Sequence, residues 1–379
     1  MLIDKNYIIK TYRQLHQVPE IGFDLPKTIA IVKRELDEIG IPYTDQIGKS
    51  CIIATLNEGV GNKTIAIRAD MDALPMQEES GVPFSSTHPN RMHACGHDAH
   101  TAMLLGTAKA LKATKKDICC CVKFVFQSAE EILGGAKTIC EDGFMEQVDE
   151  ILACHINANT PSGCIRLNYG RCYAASRGVK LHLYGKAAHI TNTKNGIDAI
   201  EMAFRVYNDI KTLRDSLDTT EKVLIGLGTI HGGTVNNTIC DHVQMEFSLR
   251  TQSTELNELL YNRIGEIAKK HAEEMGGSMK LETTKYVPAF VNDPAVRDGI
   301  AAVAAKIIGQ DNVLEKKDSL GGEDFAYYGQ HKPAAMFDLG VRITDGEQFS
   351  LHTSKMRLNE DALDIPPQIF IQYILEHME

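Results

Sequence analysis

The chain has 379 residues, of which 43% are hydrophobic and 24% charged, and its formal net charge is -10 at pH 7. This length predicts two or three domains, and the composition excludes disorder, collagen or coiled coil as the main architecture. The acidic balance gives no electrostatic reason to expect a nucleic-acid partner. No signal-like segment and no run of about 18 apolar residues is present, so we expect a cytoplasmic protein without a membrane span.

The first part of the chain alternates helical and strand-like patterns. Residues 5–40 predict two helices separated by a turn at 18–22, and the second helix runs to Gly40, a residue typical of helix ends. The further predicted strands are 51–56, 63–72, 121–127 and 150–155, and the further predicted helices are 101–113 and 132–143. This order predicts an α/β domain with a mostly parallel sheet flanked by helices.

The pattern changes after about residue 178. The predicted elements there are strand 179–184, helix 197–214, strands 223–230 and 243–251, helix 254–275 and strand 278–284. The order β-α-β-β-α-β is that of a small, ferredoxin-like α+β domain, whose helices cover only one face of the sheet. Long helices and short strands return from about 290. We therefore predict a domain at 178–287 inserted into a larger one formed by 1–177 and 288–379.

Ten cysteines are present, and without export they should remain free thiols in a reducing compartment. Cys119, Cys120 and Cys121 are contiguous, which suits a buried strand better than a disulfide framework. Paired CxxC motifs of the zinc-binding kind are absent.

The densest polar cluster is the segment His-Ala-Cys-Gly-His-Asp-Ala-His at residues 93–100. On an extended loop Cys95 and His97 would face one cavity, and thiolate and imidazole are good ligands for zinc or a similar ion. Asp98 would then orient a ligand histidine or cap the following helix. A surface loop with a capping aspartate explains the same residues, and the octapeptide alone leaves both interpretations open.

Acidic residues follow two of the predicted strands. Asp70 and Asp72 lie where α/β sheets place ligands, although a turn in which they bond their own backbone is the simpler interpretation. Glu130 and Glu131 are adjacent, and a buried pair of carboxylates needs a cation, so one could bind metal while the other acts as general base. Two solvated glutamates are the alternative.

Several other polar residues are individually weak signals. His155 ends a predicted strand and His352 lies in a loop, and each alone is more often structural than a ligand. His189 ends the segment Gly-Lys-Ala-Ala-His, Asn237 follows a double glycine, and Arg250 ends a predicted strand. The sequence has no P-loop spacing, no GxSxG and no HExxH motif.

In combination these segments resemble the co-catalytic metallopeptidases of the aminoacylase/carboxypeptidase type. The similar branch is that of the amidohydrolases, which includes hippurate hydrolase, bacterial N-acyl-amino-acid deacylases and plant auxin-conjugate hydrolases. The most specific match is the segment at 92–108, and the resemblance spans nearly the whole chain. The other matching segments are residues 15–23, 68–75, 124–131, 134–137, 185–189, 232–237, 321–325 and 351–356.

The resemblance implies a catalytic α/β domain interrupted by a lid that also forms a homodimer. It implies two divalent ions, which could be zinc, manganese, nickel or cobalt. The implied metal ligands are Cys95, His97, Glu131, His155 and His352. Glu130 would be the general acid/base, and His189 would reach the active site of the opposite subunit. Asn237 and Arg250 would hold the carboxylate of the substrate.

The implied reaction is hydrolysis of the amide bond of N-acyl amino acids by metal-activated water. A catalytically silent metal-binding or regulatory homologue is one alternative, and a thiol hydrolase with Cys95 as nucleophile is another. Three departures affect substrate preference rather than the chemistry. Thr193-Lys194 replaces a Pro-His pair, Cys240 replaces the proline that follows Asn237, and residues 156–159 lack a proline usual in the branch.

Overall fold

The protein is described by a computed structural model that covers residues 3–114 and 118–378. The chain forms two compact units. The larger comprises Met1–Cys172, Val291–Asp318 and Asp324–Glu379, and the smaller comprises Tyr173–Phe290 and Ser319–Glu323. Within residues 3–114 and 118–378, none of the helices has the length and apolarity needed to cross a membrane.

The strands in chain order are β1 Tyr43–Thr44, β2 Ile52–Leu56, β3 Thr64–Asp70, β4 Cys121–Gln127, β5 Glu150–Asn157, β6 Ile165–Leu167, β7 Arg171–Tyr173, β8 Ala175–Tyr184, β9 Val223–Gly232, β10 His242–Thr251, β11 Ser278–Val287, β12 Phe290–Val291, β13 Val313–Glu315 and β14 Ala334–Gly340. The α-helices are α1 Lys5–His16, α2 Pro26–Ile39, α3 His97–Ala113, α4 Gly135–Glu141, α5 Ala199–Asp215, α6 Thr254–Glu274, α7 Pro294–Ile308, α8 Ala326–Gly329 and α9 Ile365–His377. Short 3₁₀ helices lie at Phe144–Gln147, Ile190–Asn195, Gln310–Asn312 and Glu360–Ala362.

The larger unit is built on an eight-stranded sheet in the order β1-β2-β4-β3-β5-β14-β6-β13. β3 pairs parallel with β4 and β5, and β14 pairs parallel with β5, so the prediction of a mostly parallel sheet is confirmed. The strands β4 and β14 are buried along their whole length, as expected for a sheet covered by helices on both faces. The parallel pairing brings the carboxyl ends of β3, β4 and β5 to one edge of the sheet.

The smaller unit has the predicted β-α-β-β-α-β order. Its sheet runs β11-β8-β10-β9, and all three pairings are antiparallel. The helices α5 and α6 pack on one face over a core that includes Leu181, Met245 and Ile264. β8 and β10 alternate buried and partly exposed residues, which is the pattern of a sheet covered on one side only.

Two local expectations differ from the structure. The helix predicted at 132–143 is shorter, because Leu133 adopts a positive φ of 58° and α4 begins only at Gly135. The cysteine run is only partly a buried strand: Cys119 is exposed, Cys120 is buried, and β4 begins at Cys121. All ten cysteines are free thiols, as expected.

Candidate metal centre

A tight turn at the start of α3 positions the first two polar side chains of the site. Gly96 has a φ of +86°, and a Cβ atom there would lie 2.2 Å from Cδ1 of Ile156, so this position requires glycine. The chain therefore turns between Cys95 and His97 instead of running extended, and His97 is the first residue of the helix. The two side chains still reach one cavity, although by a different backbone path from the one expected.

Five residues from separate parts of the larger unit converge on this cavity. Sγ of Cys95 lies 3.4 Å from Nε2 of His155 and 3.2 Å from Nε2 of His352. Two groups of three donors can each surround one ion: Cys95, His97 and His155 form the first, and Cys95, Glu131 and His352 form the second. Within each group the ligand atoms lie within 4.8 Å of one another. Cys95 belongs to both groups.

Four carboxylates surround the ring of His97. Its Nδ1 atom lies 3.4 Å from Asp72, and its Nε2 atom lies 3.6 Å from Asp70 and 3.9 Å from both Glu130 and Glu131. Burial works to lower the pKa of His97, but Asp70 and its other neighbours raise that pKa well above the usual value. The carboxylates around His97 therefore favour a positive charge at this position.

The donor atoms of the cavity fit a divalent metal ion. Both ring nitrogens of His97 and Oε1 of Glu131 are buried, and none makes a hydrogen bond to the residues that the structure describes. Burial raises the pKa of the Cys95 thiol, so a nearby cation is needed to hold the thiolate. Sulfur, imidazole and carboxylate donors together suit zinc, cobalt or nickel better than magnesium or calcium.

Asp72 fixes the backbone of the glutamate pair. Its two carboxylate oxygens accept the backbone N–H groups of Glu130 at 2.9 Å and Glu131 at 3.2 Å. The turn is strained, because Ala129 and Leu133 on either side of the pair have φ values of 55° and 58°. Asp72 therefore accepts hydrogen bonds from the backbone of a distant segment and not from its own turn. Its position at the end of a strand permits this partner but does not identify it.

The second metal group opens to solvent at His352. Its side chain is 53% exposed, whereas that of Glu131 is 11% exposed and lies 3.4 Å away. His352 itself adopts a φ of 62°, which is unusual for a residue other than glycine. Burial works to raise the pKa of Glu131, but His352 and His97 hold that pKa below its usual value. The candidate site is therefore accessible to solvent at His352.

Asp98 has one of the two roles that its position suggested, because its Oδ1 atom accepts the backbone N–H of Ala99 in the first turn of α3 at 2.9 Å. Its Oδ2 atom lies 2.6 Å from Nδ1 of the buried His16, whose Nε2 atom lies 3.1 Å from Glu78. Burial works to lower the pKa of His16, but Asp98 and Glu78 outweigh it and raise that pKa to about 10. This buried ion triad ties α1 to the segment that carries Cys95 and His97.

The smaller unit carries the other three candidate residues. His189 is exposed, its Nδ1 atom lies 2.7 Å from Oγ1 of Thr191, and it forms an isolated β-bridge with Thr238 next to Asn237. Arg250 lies in β10, and its Nη1 atom donates to the carbonyl of Leu320 at 2.7 Å. Within this unit, the structure therefore places His189 beside Asn237.

Two of the departures from the amidohydrolase pattern can be followed in this unit. The sulfur of Cys240 is buried and accepts the N–H of Gly233 at 3.1 Å. Cys240 therefore closes the turn that a proline would otherwise stiffen. Thr193 and Lys194 lie exposed in the 3₁₀ helix that follows His189.

Comparisons with known proteins agree with this geometry. A model of the peptidase family M20/M25/M40 matches residues 66–376. The chain is 34% identical to an N-acetyldiaminopimelate deacetylase of Enterococcus faecalis, over 95% of each chain. It is 32% identical to thermostable carboxypeptidase 2 of Saccharolobus solfataricus, over 95% of this chain and 93% of the relative. A dinuclear metal-binding M20 peptidase of Bacillus subtilis superposes with a TM-score of 0.84 at 28% identity, over 99% and 98% of the two chains.

The fold and the cavity define a metallohydrolase that acts on amide or peptide bonds. The chain belongs to the peptidase family M20/M25/M40.

The charge on His16 predicts a specific pH dependence of stability. The pKa of His16 is about 10 in the folded chain and 6.5 ordinarily, so its contribution is complete below about pH 6.5 and is lost as the pH rises through about 10. We expect H16Q to remove a pH-dependent part of the free energy of unfolding of about 2–4 kcal/mol over this interval. Urea unfolding of both proteins between pH 6 and pH 10 measures it. The matched control is H331Q, whose histidine is exposed. Equal pH slopes in wild type and H16Q would contradict the assignment.

Proposed function

We propose that the protein is a metal-dependent amidohydrolase that cleaves the amide bond of N-acyl amino acids. Two divalent ions would be held by Cys95, His97, Glu131, His155 and His352. The observation that carries the proposal is the pair of three-donor groups sharing Cys95, with Glu130 beside them. The Cys95 thiolate would be a ligand that both ions share, which suits co-catalytic hydrolysis.

Glu130 is the proposed general acid/base. A divalent ion in such a site, when bound, lowers the pKa of water and polarises a carbonyl oxygen. Glu130 is buried and lies 3.9 Å from His97, and it belongs to neither of the two donor groups that share Cys95. It takes a proton from the water that attacks the amide carbon and delivers it to the departing amine nitrogen.

The proposed substrate carries a carboxylate next to the amide bond. A guanidinium group binds a carboxylate through two parallel hydrogen bonds, and we assign this role to Arg250 with help from Asn237. The names of the two relatives point the same way, because a deacetylase of an acylated amino acid and a carboxypeptidase both cleave an amide beside a carboxylate. Exposed Lys194 lies five residues from His189 and is the first position to test for substrate preference.

A second copy of the chain is the proposed partner of the smaller unit. On α5, Ile200, Phe204 and Tyr207 are 38%, 61% and 36% exposed and recur at the spacing of one helix face. β9 is the edge strand of the sheet, and Ile230 on it is 48% exposed. An apolar helix face beside an open strand edge suits a symmetric dimer, in which His189 would serve the site of the opposite subunit and stabilise the oxyanion.

Two single-atom replacements separate the roles of the glutamates. We expect E130Q to lower kcat by about 10²–10⁴ while metal content stays that of the wild type, because a proton carrier is lost but no ligand. We expect E131Q to lose metal, because a ligand oxygen becomes an amide. Hydrolysis of N-acetyl, N-benzoyl and dipeptide substrates with added Zn²⁺, Co²⁺, Mn²⁺ or Ni²⁺, with metal analysis of each variant, measures both.

The same panel decides between the competing functions. Full activity of E130Q on every substrate would contradict its role. No hydrolysis by wild type in any pairing of metal and substrate would favour a silent homologue. Activity that survives chelation and is lost in C95S would favour a thiol hydrolase.

The dimer is tested at the helix face of the smaller unit. We expect F204E to be monomeric by light scattering and to lose most of its activity, because a buried carboxylate would disrupt the contact and His189 would no longer reach the opposite site. V60E, at an exposed apolar position of the larger unit, is the matched control and should remain dimeric. A monomeric wild type with full activity would contradict the proposal.

A further inference from the structure

A chain of buried hydrogen bonds begins at Asp324, which lies outside the two donor groups that share Cys95. Asp324 is fully buried and Arg68 is 2% exposed. Nη2 of Arg68 donates to Oδ1 of Asp324 at 3.0 Å, and Nη1 donates to Oδ2 of Asp70 at 2.7 Å. Nε of Arg68 donates to the side-chain oxygen of Gln127 at 2.9 Å. One rigid guanidinium group therefore connects the two carboxylates.

The chain continues from Asp70 to the strand that carries His155. Oδ1 of Asp70 lies 2.6 Å from Nδ1 of His100, and Nε2 of His100 accepts the backbone N–H of Ile156 at 2.9 Å. Since a backbone N–H can only donate, Nε2 of His100 carries no proton and Nδ1–H donates to Asp70. Asp70 also lies 3.6 Å from Nε2 of His97. The chain therefore ends at His97, a candidate ligand, and at Ile156, the residue after the candidate ligand His155.

The carboxylate of Asp324 is held from three sides. In addition to Arg68, it accepts hydrogen bonds from Nε2 of Gln127 at 2.8 and 3.0 Å and from the backbone N–H of Ala136 at 3.0 Å. Asp324 is also the first residue of the larger unit after Ser319–Glu323, which belongs to the smaller one. The chain therefore re-enters the larger unit at Asp324.

We propose that Asp324 is a positioning residue for the metal centre. Through Arg68 and Asp70 it sets the orientation of His97, and through His100 it sets the end of β5 that carries His155. Without the charge of Asp324, the guanidinium of Arg68 would attract Asp70 more strongly and draw Asp70 away from His100 and His97. The inference rests on the metal ligands proposed above and adds the group that orients them.

The test compares D324N with D293A by titrating Co²⁺ into the metal-free proteins. Asp293 caps α7 in the same unit by accepting the N–H groups of Ala295 and Val296, so D293A lowers stability without touching the buried chain. We expect D324N to bind Co²⁺ about 10–100-fold more weakly than wild type and to shift the visible absorption bands of the bound ion. D293A should change neither the affinity nor the bands.

A second variant, Q127M, tests the same hydrogen-bond chain if D324N does not fold. Q127M removes one support of Asp324 and of Arg68 without adding or removing a charge, and it should weaken Co²⁺ binding in the same direction by a smaller factor. If D324N folds, a lower melting temperature together with wild-type Co²⁺ affinity and absorption bands would overturn the inference and leave Asp324 purely structural. If D324N does not fold, the same result for Q127M would overturn it. Absence of Co²⁺ binding by wild type would instead overturn the metal centre itself.

Discussion

The larger unit buries several carboxylates close together, and their negative charge must be compensated. Asp70, Asp72, Glu130 and Glu131 lie within 3.4–3.9 Å of the ring of His97. Buried carboxylates this close repel one another and have lost their hydration, so they need a compensating positive charge. Divalent ions bound among them would supply that charge.

The backbone around this cavity is adapted to the same requirement. Parallel pairing places the ends of β3, β4 and β5 at one edge, and the left-handed turn at Gly96 directs Cys95 and His97 to it. Ala129, Leu133 and His352 hold positive φ values of 55–62° at the cavity. Such strain persists only where the surrounding structure fixes the conformation, and the bonds from Asp72 do so for the glutamate pair.

Much of this arrangement could be predicted from local sequence patterns, and the exceptions have a common cause. Strand and helix periodicity located most elements, and the five candidate ligands were placed by a resemblance that the family match confirms. The pairing of Asp98 with His16 and of Arg68 with Asp324 could not be predicted, because the partners are 82 and 256 residues apart. The late start of α4, at Gly135 instead of residue 132, could not be predicted either, since it depends on a turn held by the distant Asp72.

In the proposed metal centre one thiolate, that of Cys95, would join two metal sites. Metal analysis of the purified, Zn²⁺-loaded C95A variant beside wild type tests this directly. We expect two zinc ions per wild-type chain and loss of both in C95A, because both groups of donors use this sulfur. Two tightly bound zinc ions in C95A, equal to wild type, would contradict it.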